Sequence, residues 1–183
     1  MAFEKTRCVA NEKLCSLGIN LKCRVWHLHE GESWSCNTFC KKSHAHIIHL
    51  NPLDVKAPTK ATPGNVRSPT LAIPTMQHLL LHEMGHVFFC KCIRKKDLAS
   101  VKRLFGDVCQ TYKRSMGKKF NSPDFISTYA QVHPEDNFVE VFAVYAGFYG
   151  DMKAIKKFLK QKKKSDKVLK QFLWLDKFVR KNK

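Results

Sequence analysis

The chain is short of acids. Only 15 Asp and Glu stand against 33 Lys and Arg, a formal net charge of +18. Such a field draws anionic partners and carries no information about fold. Long apolar runs are missing as well: the longest uncharged apolar stretch, Val141–Tyr149, falls far below the ~20 residues that a bilayer span requires. No transmembrane segment is expected. Met1-Ala2-Phe3-Glu4-Lys5 carries an early acid and no following apolar run, so no secretory signal is visible and an intracellular location is expected. No Cys-x-x-Cys pair occurs, and Cys36-x3-Cys40-x3-His44-x-His46 fits no zinc template. Without an export signal, most of the eight cysteines are expected to be reduced thiols. There is no internal repeat. Hydrophobic residues make up 44% of the chain, which excludes global disorder, and 183 residues suit one domain.

What is present falls into regions of different texture within that one domain, 1–183. Residues 1–50 are expected to be strand-rich, because Leu21–His29 and His44–Leu50 alternate or carry β-branched residues. His27 and His29, like His44 and His46, fall on one strand face and are expected to be solvated edge-strand histidines. Residues 51–75 hold five of the seven prolines (52, 58, 63, 69 and 74), the mark of an irregular surface loop. Residues 76–150 turn helical. Thr75 suits an N-cap, and Met76, Leu79, Leu80, Met84, Val87 and Phe88 recur at helical spacing. A second helix is expected from about Leu98 to Met116, and a third from Glu135, behind Pro134, to about Tyr149. The tail, 151–183, reads as one or two Lys-rich amphipathic helices with Ile155, Phe158, Leu159, Val168, Leu169, Phe172, Leu173 and Val179 inward. Strands first and helices after predict an α+β class, with a small N-terminal mixed β-sheet ahead of the helices.

Chemistry enters at His82-Glu83-Met84-Gly85-His86. Residues four apart on a helix lie about 40° apart around the axis, so both imidazoles project into one coordination sphere. Glu83 flanks that face and reaches a reacting water without itself being a ligand. Two imidazoles and a carboxylate leave a fourth position open, the arrangement of catalytic rather than structural zinc sites. With nine His and seven Glu in the chain, the pattern arises by chance in about 2% of such compositions. Gly85 is a poor helix former, and its presence inside the motif implies that something packs closely at that turn. His78 extends the row to 78, 82 and 86. Three ligands over two turns of a rigid helix cannot converge on one ion, so His78 supports the site or lies at the surface.

A distant acid must complete the site. Phe125–Glu140 offers Glu135, Asp136 and Glu140 at the start of a helix. Asp136 and Glu140, four apart, share a face and suit a ligand plus an orienting carboxylate. The alternative is that Glu135 and Asp136 merely favour the positive helix N-terminus.

His44–Asn51, Leu79–Phe88, Arg103-Leu104-Phe105-Gly106-Asp107 with Tyr112, and Phe125–Tyr145 together resemble the zinc-binding metallopeptidases of the zincin-like, gluzincin type. More remotely they resemble the catalytic domain of anthrax lethal factor. The likeness covers roughly residues 40–150, and Tyr-Ala-x-x-His-Pro-x-(acid)-x-x-x-Glu is its most specific part. It implies a zincin-like fold and hydrolysis of peptide or protein substrates with Zn2+ as cofactor. Counted from Tyr129, it puts Asp136 in the position of the third ligand beside His82 and His86, and Glu140 in a supporting one. It also makes Glu83 the general base and Tyr129 a donor to the oxyanion. The family carries Glu where this chain has Asp136, one methylene shorter, so either the helix comes closer, or Glu135 reaches in, or the site is weakened.

The tail offers a different reading. Residues 152–183 hold 13 basic and two acidic residues, a net +11, but Phe158, Phe172 and Trp174 fall at core-like spacing rather than as a stacking platform. A solvated helix face explains this. The competing class is a basic nucleic-acid-binding protein with a structural or inactive zincin core, docking nucleic acid or an anionic surface through its lysines.

Overall fold

A computed structural model describes residues 2–21, 24–27, 36–40, 45–50, 75–111 and 122–182. The proline-rich loop and the residues His29, His44 and Tyr112 lie outside the described residues.

Helix α1 (Ala2–Ser16) opens the chain. Its buried face is Ala10, Lys13, Leu14 and, just beyond the helix, Leu17, a spacing of about one helical turn per step. Lys13 buries its stem and keeps its ammonium satisfied at two places. Its Nζ donates to the Gly147 carbonyl at 2.8 Å and stands 3.7 Å over the Tyr149 ring. Three short strands follow: β1 (Arg24–His27), β2 (Cys36–Cys40) and β3 (Ala45–Leu50), in the order β1-β3-β2. β1 runs parallel to β3 and β2 antiparallel to it.

The two helices at the heart of the molecule are α2 (Thr75–Cys92) and α4 (Pro134–Gly147). Both are buried on nearly every side, α4 without interruption from Asp136 to Ala146. A helix enclosed all round has no reason to show an amphipathic stripe. They cross at Gly85, where an added Cβ would stand 2.9 Å from Val139 Cβ and 3.1 Å from Phe142 Cδ1. The close packing expected at that turn is therefore α4 itself. One turn on, Phe88 stacks on Phe142 with ring centroids 4.6 Å apart. Around this pair lie α3 (Leu98–Phe105), α5 (Met152–Gln161) and α6 (Asp166–Lys181). Ile155, Phe158 and Leu159 of α5 and Val168, Phe172, Leu175 and Val179 of α6 face the core. Tyr145 of α4 donates to Asp176 Oδ1 at 2.8 Å, which ties α6 to the centre.

The α+β expectation, with a sheet leading the chain, is corrected. The chain starts in a helix, and the hydrophobic core is built chiefly from helices, with Ile48 its one described strand residue. The described sheet has three strands of four to six residues and places only Ile48 in the core, which leaves most of the apolar burial to the helices. The helix expected over 98–116 stops at Phe105. Gly106, at φ 112°, turns the chain where other residues would be strained, and a Cβ added there would stand 3.0 Å from the Pro134 ring. Leu173, expected inward, is exposed. His46 is buried rather than solvated, because it shares a face of β3 with Ile48, and that face meets the core. Burial, aided by the charge of Lys91, pushes its pKa below the ordinary value. Among the described residues no helix is long and apolar enough to cross a membrane.

Candidate metal centre

The site lies where the buried middle of α2 faces the first two turns of α4. The start of α4 is fixed by His133, whose extended backbone stands just outside the helix. Its Nδ1 accepts from the Glu135 backbone N–H at 3.2 Å, and its Nε2 donates to the Gln110 carbonyl at 2.8 Å. Pro134 follows at the first helical position, where no backbone donor is needed. With the helix start anchored, Glu135, Asp136 and Glu140 point at three different places.

His82, His86 and Asp136 each offer one ligand atom, all within 4.8 Å of one another. The distance from His86 Nε2 to Asp136 Oδ1 is 3.8 Å. Ligands on a tetrahedral ion with bonds of 2.0–2.2 Å stand about 3.3 Å apart, so a small inward movement suffices to bring these atoms onto one ion. The donor set fits zinc.

Each imidazole is held by its other nitrogen. His82 Nδ1 lies 2.8 Å from Glu140 Oε1, and His86 Nδ1 lies 2.7 Å from Glu135 Oε1. An ionised carboxylate only accepts, so both rings donate through Nδ1 and leave Nε2 as a lone pair. Glu135 therefore engages the far side of the His86 ring and does not reach into the coordination sphere. Burial pushes the His82 pKa down to about 4, against the opposing pull of Glu140, so the ring is neutral at physiological pH. Burial also opposes charge on His86, but the hydrogen bond to Glu135 and the charges of Glu83, Glu135 and Asp136 outweigh it and hold its pKa above the usual value. Glu140 is fully buried, which alone would favour its neutral form. The adjoining His78 and His82 rings overcome that and keep it ionised.

Glu83 is buried beside the two motif histidines. Tyr129 sits in a short 3₁₀ turn, Tyr129–Gln131, with its ring edge-on to His82 at 5.4 Å. Burial, then the charges of Asp136, Glu83 and Glu140, hold its phenol far above the ordinary pKa, so its O–H is retained as a donor.

A model of the family described as "Putative zinc-binding metallo-peptidase" matches residues 74–180, from the start of α2 nearly to the end of α6. The chain belongs to this family. Its matched span contains every side chain of the cluster just described. Neither a curated protein nor a solved structure matches the chain.

Three features of this metallopeptidase-family site were not legible in the motif. His78, which the helical row left between support and surface, is buried, with Nε2 2.9 Å from Glu140 Oε1. Glu135 holds His86, although its position suggested either an alternative ligand or a carboxylate favoured at the helix N-terminus. His133 sets the register of all three acids, and the His-Pro pair ahead of an acidic turn was its only signal. The distal cysteine pair contributes nothing to the cluster: Cys90 is exposed and Cys92 half-buried, and both are free thiols.

Proposed function

We propose that the chain is a zinc-dependent peptidase, organised as one domain, with His82, His86 and Asp136 holding the metal. The observation that carries this reading is the convergence of two Nδ1-anchored imidazoles and one carboxylate at the crossing of two buried helices. Four carboxylates, Glu83, Glu135, Asp136 and Glu140, are gathered around the histidine rings. Such an accumulation of negative charge favours a divalent cation.

When bound, zinc supplies Lewis-acid polarisation of the scissile carbonyl and makes nearby water more acidic. The protein does the rest. Glu83 takes the proton of the attacking water on its carboxylate and delivers it to the leaving amine. Tyr129 donates its O–H to the oxygen on which charge develops. Glu140 and Glu135 keep the two ligand rings in the Nδ1–H tautomer.

The test is direct. Purified protein is expected to carry about one equivalent of zinc and to cleave members of a peptide mixture, with cleavage abolished by chelation. Glu83→Gln is expected to retain the zinc and to lose at least ~10²-fold in cleavage rate. Unchanged cleavage by that variant would remove Glu83 from its role.

A second reading concerns the charge. Arg103, Lys167 and Lys170 line one cavity of about 620 Å³ with Leu104 and Trp174, between α3 and α6. Three cations beside an aromatic ring are the elements of a single-stranded nucleic-acid groove. This reading predicts oligonucleotide binding that weakens with salt, survives zinc removal and is lost in Lys167→Glu/Lys170→Glu. Binding unaltered by the double substitution would exclude this groove.

A further inference from the structure

We propose that His78 is a positioning residue of the metal site, acting on His82 through Glu140. The proposal rests on the zinc reading above and assigns a function to a residue outside the five-residue motif.

His78, His82 and His86 form a row along one face of α2, one turn apart. The upper two face the ligand cluster, but the lowest does not. Instead, His78 Nε2 lies 2.9 Å from Glu140 Oε1, and His82 Nδ1 lies 2.8 Å from the same oxygen. All three side chains are buried, Glu140 completely. One carboxylate oxygen thus receives two N–H donors from successive turns of one helix. Glu140 Oε2, by contrast, makes no hydrogen bond among the described residues.

The consequence is geometric. With His82 alone as donor, the carboxylate could turn about its terminal torsion and offer either oxygen, and the His82 ring would turn with it. A terminal carboxylate torsion is broad and nearly two-fold, so little else resists that rotation. A second donor from a rigid position one turn away selects Oε1 and fixes its direction. The His82 ring then keeps its Nε2 aimed at the ligand cluster. His78 also supplies half of the hydrogen bonding that makes a buried carboxylate tolerable.

The same trio, His78, His82 and Glu140, lies close enough to hold an ion itself. An ion there would displace both hydrogen bonds and would have no open position facing solvent, since none of the three side chains is exposed. The hydrogen-bonded arrangement is the one the chemistry favours.

Zinc affinity of the full chain, measured by competition with a chromophoric chelator, tests this together with tautomer assignment. His78→Leu removes the donor and is expected to weaken zinc binding at least ~10-fold, whereas His78→Gln, which keeps an N–H near the place of Nε2, is expected to stay within ~3-fold of wild type. In long-range 1H–15N spectra of metal-free wild type, His82 is expected to be protonated at Nδ1 and His78 at Nε2. That measurement needs no variant and holds even if His78→Leu does not fold. Equal affinity in wild type and His78→Leu overturns the proposal, as do equal losses in His78→Leu and His78→Gln or an Nε2-protonated His82. A wild-type chain that binds no zinc fails differently, because it refutes the zinc reading itself.

Discussion

Gly85 and Val139 bring α2 and α4 into close contact: a Cβ on the glycine would lie 2.9 Å from the Val139 Cβ. This approach lies beside the metal ligands, since Gly85 precedes His86 and Val139 follows Asp136 by three residues. At that separation the Asp136 carboxylate stands 3.8 Å from His86 Nε2.

Gly85→Ala sets two effects against each other. Alanine gains ~1 kcal/mol in helix propensity, whereas overpacking a rigid core contact costs ~1–3 kcal/mol. The clash is with a β-carbon that cannot rotate away, so the steric cost is expected to prevail. Thermal unfolding should show a lower Tm, and chelator competition should show weaker zinc binding. A variant with raised Tm and unchanged affinity would refute the close-approach account.

Asp136→Ala is expected to reduce bound zinc to well below one equivalent. Asp136→Glu should bind zinc more tightly than the alanine variant and less tightly than wild type, because the added methylene overshoots a site built for the shorter acid. Metal content after dialysis orders the three proteins. Wild-type affinity in Asp136→Glu would mean that the helix spacing does not discriminate.

Tyr129→Phe removes the phenol and keeps the ring that packs on His82. Zinc affinity is expected to be unchanged, while kcat falls by ~10²-fold or more and KM moves little. A loss confined to KM would make Tyr129 a substrate-binding residue instead.

Acid should destabilise the metal-free protein through His82. In the fold its pKa is pushed down to about 4, while in the unfolded chain it titrates near the ordinary 6.5. Between those values the unfolded chain binds more protons, so the contribution of His82 is complete above about pH 6.5 and fades as the pH falls towards about 4. His86, whose pKa is raised, works in the opposite sense. The clean measurement is therefore the stability difference between wild type and His82→Gln, which should shift steadily against wild type from pH 6.5 to 4. A difference independent of pH would mean that the imidazole is not desolvated.

The motif helix, its glycine and the inward stripes of α5 and α6 were legible in the sequence because the helical period is a local property. Residues four apart share a face whatever surrounds them. Two helices were misread for equally local reasons. In α1 a buried lysine interrupts the apolar stripe, and its compensation at the Gly147 carbonyl and the Tyr149 ring comes from the far end of α4. In α3 the pattern continues past Gly106, but the positive φ of that glycine ends the helix.

Partnership across the molecule was decided only by tertiary structure. The alternation at Ala45–Leu50 marks a strand and puts His46 on one face with Ile48, but which face the helices cover is non-local, and that cover is what buries His46. Likewise, helical spacing alone says of the three acids at the head of one helix only that Asp136 and Glu140 share a face, and it was the family resemblance that assigned their roles. Their separate placement, Asp136 towards the ligand cluster, Glu135 on His86 and Glu140 between His78 and His82, follows from the anchored start of α4 and its crossing angle over Gly85. The sequence by itself determined that two imidazoles would converge, because that needs only one helix. Which carboxylate joins them, and which ones hold them in place, required a second helix at a defined distance.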